Sequence, residues 1–106
     1  MDKLIYPCIW SKNNAREMAD YYLSVFHNSE IADENDWVVV LKINGQRIML
    51  LNGGEMFQPN PSVSLMYLTN SEKEVEGLYE RLITDGKELM PLDSYPFSNK
   101  YAWVED

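Results

Sequence analysis

Few side chains in this 106-residue sequence have the type and spacing that chemistry requires. Cys8 is its single cysteine and His27 its single histidine. A nucleophilic thiol needs a base or a cation to hold it as thiolate. Cys8 instead lies in the apolar run LIYPCIW (4–10) with no such partner nearby in sequence, so a buried structural thiol is expected. One Cys and one His cannot assemble the three or four soft ligands of a zinc site. They also leave no internal disulfide. Ser94 and Ser98 stand in SYPFSN without a neighbouring base, and the carboxylate pairs Glu34 with Asp36 and Glu105 with Asp106 read as solvated turns. The run NGG (52–54) is either the turn joining two halves of the chain or a set of backbone amides offered to a ligand.

The elements that must position these residues follow from periodicity. LIYPCIW reads as a strand, with Pro7 pointing to a sheet edge or a bulge because proline cannot donate to a ladder. AREMADYYLSVF places Ala15, Met18, Ala19, Tyr22 and Val25 or Phe26 on one helical face. HNSEIADEND is turn-like, with a short strand expected around Ile31. WVVVLKI (37–43) and RIMLLN (47–52) flank Asn44-Gly45, the strongest short hairpin signal. After the linker GGEMFQPNPS the pattern restarts with VSLMYLT (63–69) as a strand. SEKE follows as a capping box of Ser71 and Glu74. A helix then buries Val75, Leu78, Tyr79 and Leu82 and ends at Asp85-Gly86. KELMPLD and KYAWVE are the last two strands. Shifting the chain by 57 sets Met18 on Val75, Tyr21 on Leu78, Tyr22 on Tyr79 and Val25 on Leu82, so the two halves are structural repeats.

Composition excludes several functions. The chain is 45% hydrophobic and 25% charged, as ordinary globular domains are, and its length suits a single domain. A net charge of -8 argues against nucleic acid or an anionic membrane as partner, since both need a basic face. MDKLIYPCIW lacks the apolar core of a signal peptide, and no apolar run reaches the ~20 residues of a membrane span. The expected setting is the cytoplasm.

The stretches YPCIWSKNNAREMADYYLSVF, INGQRIMLLNGG, FQPNPSVSLMYL and GKELMPLDSYPFSNKYAWVED resemble the PhnB-like family, often labelled demethylubiquinone methyltransferase domain. That family sits within the vicinal oxygen chelate superfamily, which has the glyoxalase fold. The resemblance implies an α+β fold of two βαβββ-type modules, here 1–54 and 55–106, and a homodimer. Two departures stand out. NSEIADENDW is short where members carry a longer loop and strand. Members also continue past the equivalent of Asp106 into a glycine turn and a final strand. The second module is therefore expected to be incomplete at its C-terminus, with an open edge for another chain to cover.

Metal-dependent members of the superfamily hold their ion from the first and last strands of each half. Here LIYPCIW offers Cys8, RIMLLN offers Asn52, SVSLMYLT offers hydroxyls, and the fourth strand is missing, so no metal is expected. His27 falls at the end of a helix, away from these strands. The methyltransferase label fares no better, because NGG leads into EMFQPNP and not into the helix that a cofactor-binding glycine turn requires. No cofactor and no catalytic residue are assigned. What remains is an apolar cleft with Tyr6, Cys8, Trp10, Leu50, Asn52, Met66, Met90, Tyr101 and Trp103 as candidate lining, suited to a small apolar or mixed-polarity ligand. The competing reading is that these residues simply fill the core. The expected function is metal-free small-molecule binding. The alternatives are an enzyme of the superfamily acting on a small organic substrate, and an assembly subunit that completes its sheet with another chain.

Overall fold

The computed structural model describes residues 4–60, 62–84 and 86–105; Asp85 and Asp106, expected at a helix end and in a turn, lie outside them, as do residues 1–3. The chain divides into two compact units, Met1–Asn60 and Pro61–Asp106, with the boundary inside the glycine- and proline-rich run 53–62.

The first unit is a βαβββ module: β1 (Cys8–Ser11), α1 (Ala15–Val25), β2 (Ser29–Glu34), β3 (Val38–Ile43) and β4 (Gln46–Asn52). Its sheet runs β1-β4-β3-β2, with β1 parallel to β4 and the other pairs antiparallel. The strand expected over 4–10 starts only at Cys8. Pro7 ends up just outside it on the edge, lacking an N–H for the ladder, while its carbonyl still accepts from Met49 N–H at 2.9 Å. Asn44 and Gly45 both take positive φ, 50° and 84°, as a two-residue hairpin turn between twisted strands requires. The segment HNSEIADEND yields a full strand, β2, bulged between Ile31 and Asp33.

One face of this sheet packs under α1. Ala15 and Ala19 bring the helix close to Val39, Leu41, Ile48 and Leu50, and Ile9, Met18, Tyr22 and Leu23 close the margins. The small alanines let the helix backbone approach the sheet, which is why the three largest fully buried side chains are the strand residues Leu41, Leu50 and Val39. On the surface, Arg16 joins α1 to β2 through Asp20 (3.0 Å) and Glu34 (2.7 Å). These partners, Asp20 first, raise the Arg16 pKa further.

The second unit contains α2 (Glu72–Thr84), β5 (Lys87–Tyr95) and β6 (Ser98–Glu105), the two strands forming an antiparallel ribbon with three irregularities of register. The strand expected over 63–69 does not form: these residues join no ladder. The reason lies in pairing. In the first unit β1 is held by β4, whereas the described strands of the second unit, β5 and β6, pair with each other. Backbone groups without a partner strand have no sheet to enter. The capping box forms by half. Glu74 N–H donates to Ser71 Oγ at 3.2 Å, but the Glu74 carboxylate accepts from Tyr67 and from Thr69 Oγ1 (3.1 Å), and Ser71 N–H turns to Thr69 Oγ1. The expected helix face of Val75, Leu78, Tyr79 and Leu82 is half-buried; one helix on a two-stranded ribbon cannot bury it fully.

Tyr79 ties α2 to β5 by donating to the Glu88 carboxylate. That hydrogen bond, helped by burial and by the charge of Glu88, raises the phenol pKa above 10.0. A raised folded-state pKa gives stability that is fully present below the unfolded value and is lost as pH rises through the folded one. Tyr79→Phe is therefore expected to destabilise the protein near pH ~9, with the difference from wild type shrinking near pH ~11. Thermal unfolding of both proteins at the two pH values measures it; a gap that widens with pH contradicts the assignment.

Candidate functional site

The open face of the first unit's sheet is fixed by register. Cross-strand partners share a face, so three rows can be read across it. Trp10, Leu51 and Val38 form one row; Cys8, Met49, Val40 and Asp33 the next; Arg47, Lys42 and Glu30 the third. Trp10, Val38, Met49 and Leu51 are half-buried, Cys8 is exposed, and Val40 is buried. Tyr6, two residues before Cys8 and outside β1, is half-buried.

Trp10 is the most constrained of these side chains. Its indole Nε1 donates to Gly54 O at 2.8 Å, and Phe57 meets the ring edge-to-face with centroids 5.0 Å apart. The ring lies so close to Gly53 that a Cβ there would stand 2.4 Å from Cε2. The segment NGG thus wraps the indole. Its amides are already engaged: Gly53 N–H donates to Ser11 O and Leu51 O, and Gly54 N–H to Ser11 O. They are not free for a ligand, and residues 53–60 continue without a helix, so the segment does not fit the glycine turn by which a methyltransferase of the common fold grips its cofactor.

The structure divides the expected cleft residues of the first unit between the two faces. Cys8 and Trp10 lie on the open face, but Leu50 is 0% exposed beneath α1 and Asn52 follows the same phase of β4. Asn52 is committed to structure. Its Oδ1 accepts the first helical N–H, that of Ala15, at 2.9 Å and lies 3.5 Å from Ser11 Oγ, while Nδ2 donates to Asp36 O at 3.3 Å. Asn14, at the capping position itself, makes no side-chain cap, so α1 is capped from β4. Asn52→Ala should cost about 1–2 kcal/mol of unfolding free energy, and Asn52→Asp, which keeps the acceptor, clearly less. Denaturant titration followed by circular dichroism checks this; equal losses for the two variants would remove the cap from the account.

In the second unit Met90 and Trp103 are cross-strand partners on one face, and Tyr101 faces Asp93. All three are half-buried, whereas Met66 is 71% exposed in the segment 63–69, outside any ladder. Tyr101 also packs edge-on to Phe97 and Tyr95, with centroids 4.8 and 5.7 Å apart, and the Tyr95 phenol donates to Pro91 O. Burial first, and then the charges of Asp93 and Glu88, raise the Tyr95 pKa.

Of the remaining chemistry-bearing residues, Cys8 is exposed where a buried thiol was expected, because it points away from α1 on an edge strand. Ser94 and Ser98 lie within β5 and β6, and Ser98 Oγ donates to Lys100 O. His27 lines an open polar groove of ≈ 490 Å³ with Asn28, Ser29, Glu30, Lys42, Asn44 and Gly45. Among the described residues no three His, Cys, Asp or Glu side chains come together. The strand positions that a metal of this fold would use carry an exposed thiol and an amide whose oxygen already caps a helix, so the donor set does not fit a divalent ion.

Val38, Val40, Lys42, Arg47, Met49 and Leu51 share the open face with Cys8 and Trp10 without any local sequence signal for it. RIMLLN is apolar in both phases of its alternation, so nothing in the sequence tells which phase faces the helix.

Comparison with known proteins gives a consistent picture. Residues 3–106 match the family described as 3-demethylubiquinone-9 3-methyltransferase. A putative 3-demethylubiquinone-9 3-methyltransferase, PhnB protein, from Bacillus cereus is 29% identical with a TM-score of 0.87, over 98% of this chain and 92% of that one. Two further structures share the fold. A protein from Pseudomonas aeruginosa is 17% identical with TM-score 0.68, covering 99% and 90% of the two chains. A hypothetical protein from S. aureus is 14% identical with TM-score 0.74, covering 100% and 87%. Comparison with curated proteins finds no match.

Proposed function

This chain belongs to the 3-demethylubiquinone-9 3-methyltransferase family, of PhnB type and with the glyoxalase fold, and we propose that it is a metal-free small-molecule-binding protein whose ligand lies on the sheet face opposite α1. One observation carries this reading: Cys8, Trp10, Val38, Met49 and Leu51 form a contiguous apolar floor on that face, with none of them fully buried. Methionine and tryptophan adapt to small organic ligands, the former by its flexible polarisable chain and the latter by its broad rigid face. The exposed thiol and the engaged amide at the strand positions of a metal support the metal-free part. The exposed free thiol of Cys8 also suits a reducing compartment and supports a cytoplasmic setting. Among the described residues no helix is long and apolar enough to cross a membrane.

Purified protein is expected to carry no stoichiometric divalent ion by elemental analysis, and a screen of small apolar and amphiphilic compounds should give hits that quench tryptophan emission. Trp10→Phe should remove most of that response. One ion per chain overturns the metal-free reading, and a broad screen with no binder means that the face is only structural.

A second reading, homodimerisation through strand addition, is favoured by the segment 63–69, which joins no ladder and where Val63 and Leu68 are each 81% exposed. Native mass spectrometry should find a dimer; a folded monomer at micromolar concentration rejects it.

A further inference from the structure

We infer that the ligand of the open face is an amphiphilic organic anion, with a carboxylate or phosphate head seated on Arg47 and Lys42 and an apolar body lying over Met49, Leu51 and Trp10. This rests on the reading that the open face binds a ligand, and adds the ligand's chemical class. Arg47 and Lys42 are direct cross-strand partners, so their side chains leave the sheet on the same side, in the row next to Met49. Both are half-buried. Among the described residues neither has a carboxylate within ion-pair distance, although the chain holds 17 acidic residues against 9 basic ones. Two adjacent cations, neither in an ion pair among the described residues, in a protein of net charge -8, mark a place where an anion is stabilised locally against the field of the whole molecule. The acidic neighbours set the orientation. Glu30 faces Lys42 from β2, and Asp33 faces Val40, so the β2 side of the face is negative. The β4 side, where Arg47 stands, is the place for an anionic head, and guanidinium matches carboxylate and phosphate with two parallel hydrogen bonds. Along β4 the row Arg47, Met49, Leu51 spans about 13 Å at ~3.3 Å per residue, room for an extended chain of roughly eight to ten carbons.

The test is a calorimetric titration of the full chain with four probes of equal chain length: decanoate, decyl phosphate, decanol and decylamine. Decanoate or decyl phosphate should bind at least about tenfold more tightly than decanol, and decylamine more weakly still. Whichever anion binds more tightly identifies the headgroup. Arg47→Gln should bring the anions down to the affinity of decanol. Arg47→Lys should keep part of the preference, and Lys42→Gln should reduce it independently. Equal binding of anions and decanol to the wild type overturns the anion assignment while leaving a ligand on the face. An Arg47→Gln variant that folds as wild type by circular dichroism and keeps the anion preference also overturns it. No binding by any of the four overturns the binding face itself.

Discussion

Leu50→Ala is expected to lower the unfolding free energy by about 2–5 kcal/mol, more than the truncation of any side chain on the open face. Leu50 is 0% exposed and sits at the centre of the sheet, with Ile9 on one side, Val39 on the other and the alanine face of α1 above. Removing its branched end leaves a void bounded by β-sheet backbone and by Ala15 and Ala19, which have no side-chain length with which to fill it. The site can therefore collapse little, and the cost belongs in the upper part of the range. The prediction also separates two roles. The sequence grouped Leu50 with cleft residues; its position under the helix makes it core. Stability should fall while affinity per folded molecule, measured with any compound that quenches Trp10, stays within about twofold. A loss of affinity without a loss of stability would return Leu50 to the cleft.

Gly53→Ala is expected to cost about 1–3 kcal/mol for a different reason, overpacking. The φ of Gly53 is not in the left-handed region, unlike that of Gly54 at 93°, so backbone strain is not the cause. The added methyl would stand 2.4 Å from Trp10 Cε2 and 2.5 Å from Cζ2, and one of them must move. If the indole swings away, it gives up the hydrogen bond to Gly54 O and the edge contact with Phe57. If the chain lifts instead, Gly53 and Gly54 leave Ser11 O, which anchors the end of β1 to the end of β4. A double-mutant cycle distinguishes this from a general intolerance of the linker. In a Trp10→Ala background the same Gly53→Ala change should be nearly neutral, giving a coupling of at least about 1 kcal/mol. Additive losses would show that the indole is not what the glycine accommodates.

Both effects fall at points where the sequence was silent for a definable physical reason. The Asn-Gly hairpin, the helix from Ala15 and the strands on either side of residue 44 were legible because each rests on a local signal, a turn needing positive φ or an apolar face with a single period. The phase of β4 was not legible, because Ile48 and Leu50 are as apolar as Met49 and Leu51. Only the packing of α1 chose between them, and with that choice Leu50 and Asn52 went beneath the helix while Met49, Leu51 and the Arg47–Lys42 pair went to the open face. The segment 63–69 misled for a related reason. Its composition is that of a strand, but a strand is a relation between two segments, and composition records only one of them.

The sequence by itself carried the family, through the long stretches that resemble it, and the α+β class and βαβββ order of the first unit, which rest on residue type and short-range spacing. Tertiary structure alone decided which side chains share a face, that Asn52 caps a helix thirty-odd residues before it, that Gly53 exists to make room for an indole, and that two cations stand side by side on an acidic protein. Each of these is a contact between segments distant in the chain, and the shared faces follow from a register set by the burial of one face against a helix, a quantity that no local pattern contains.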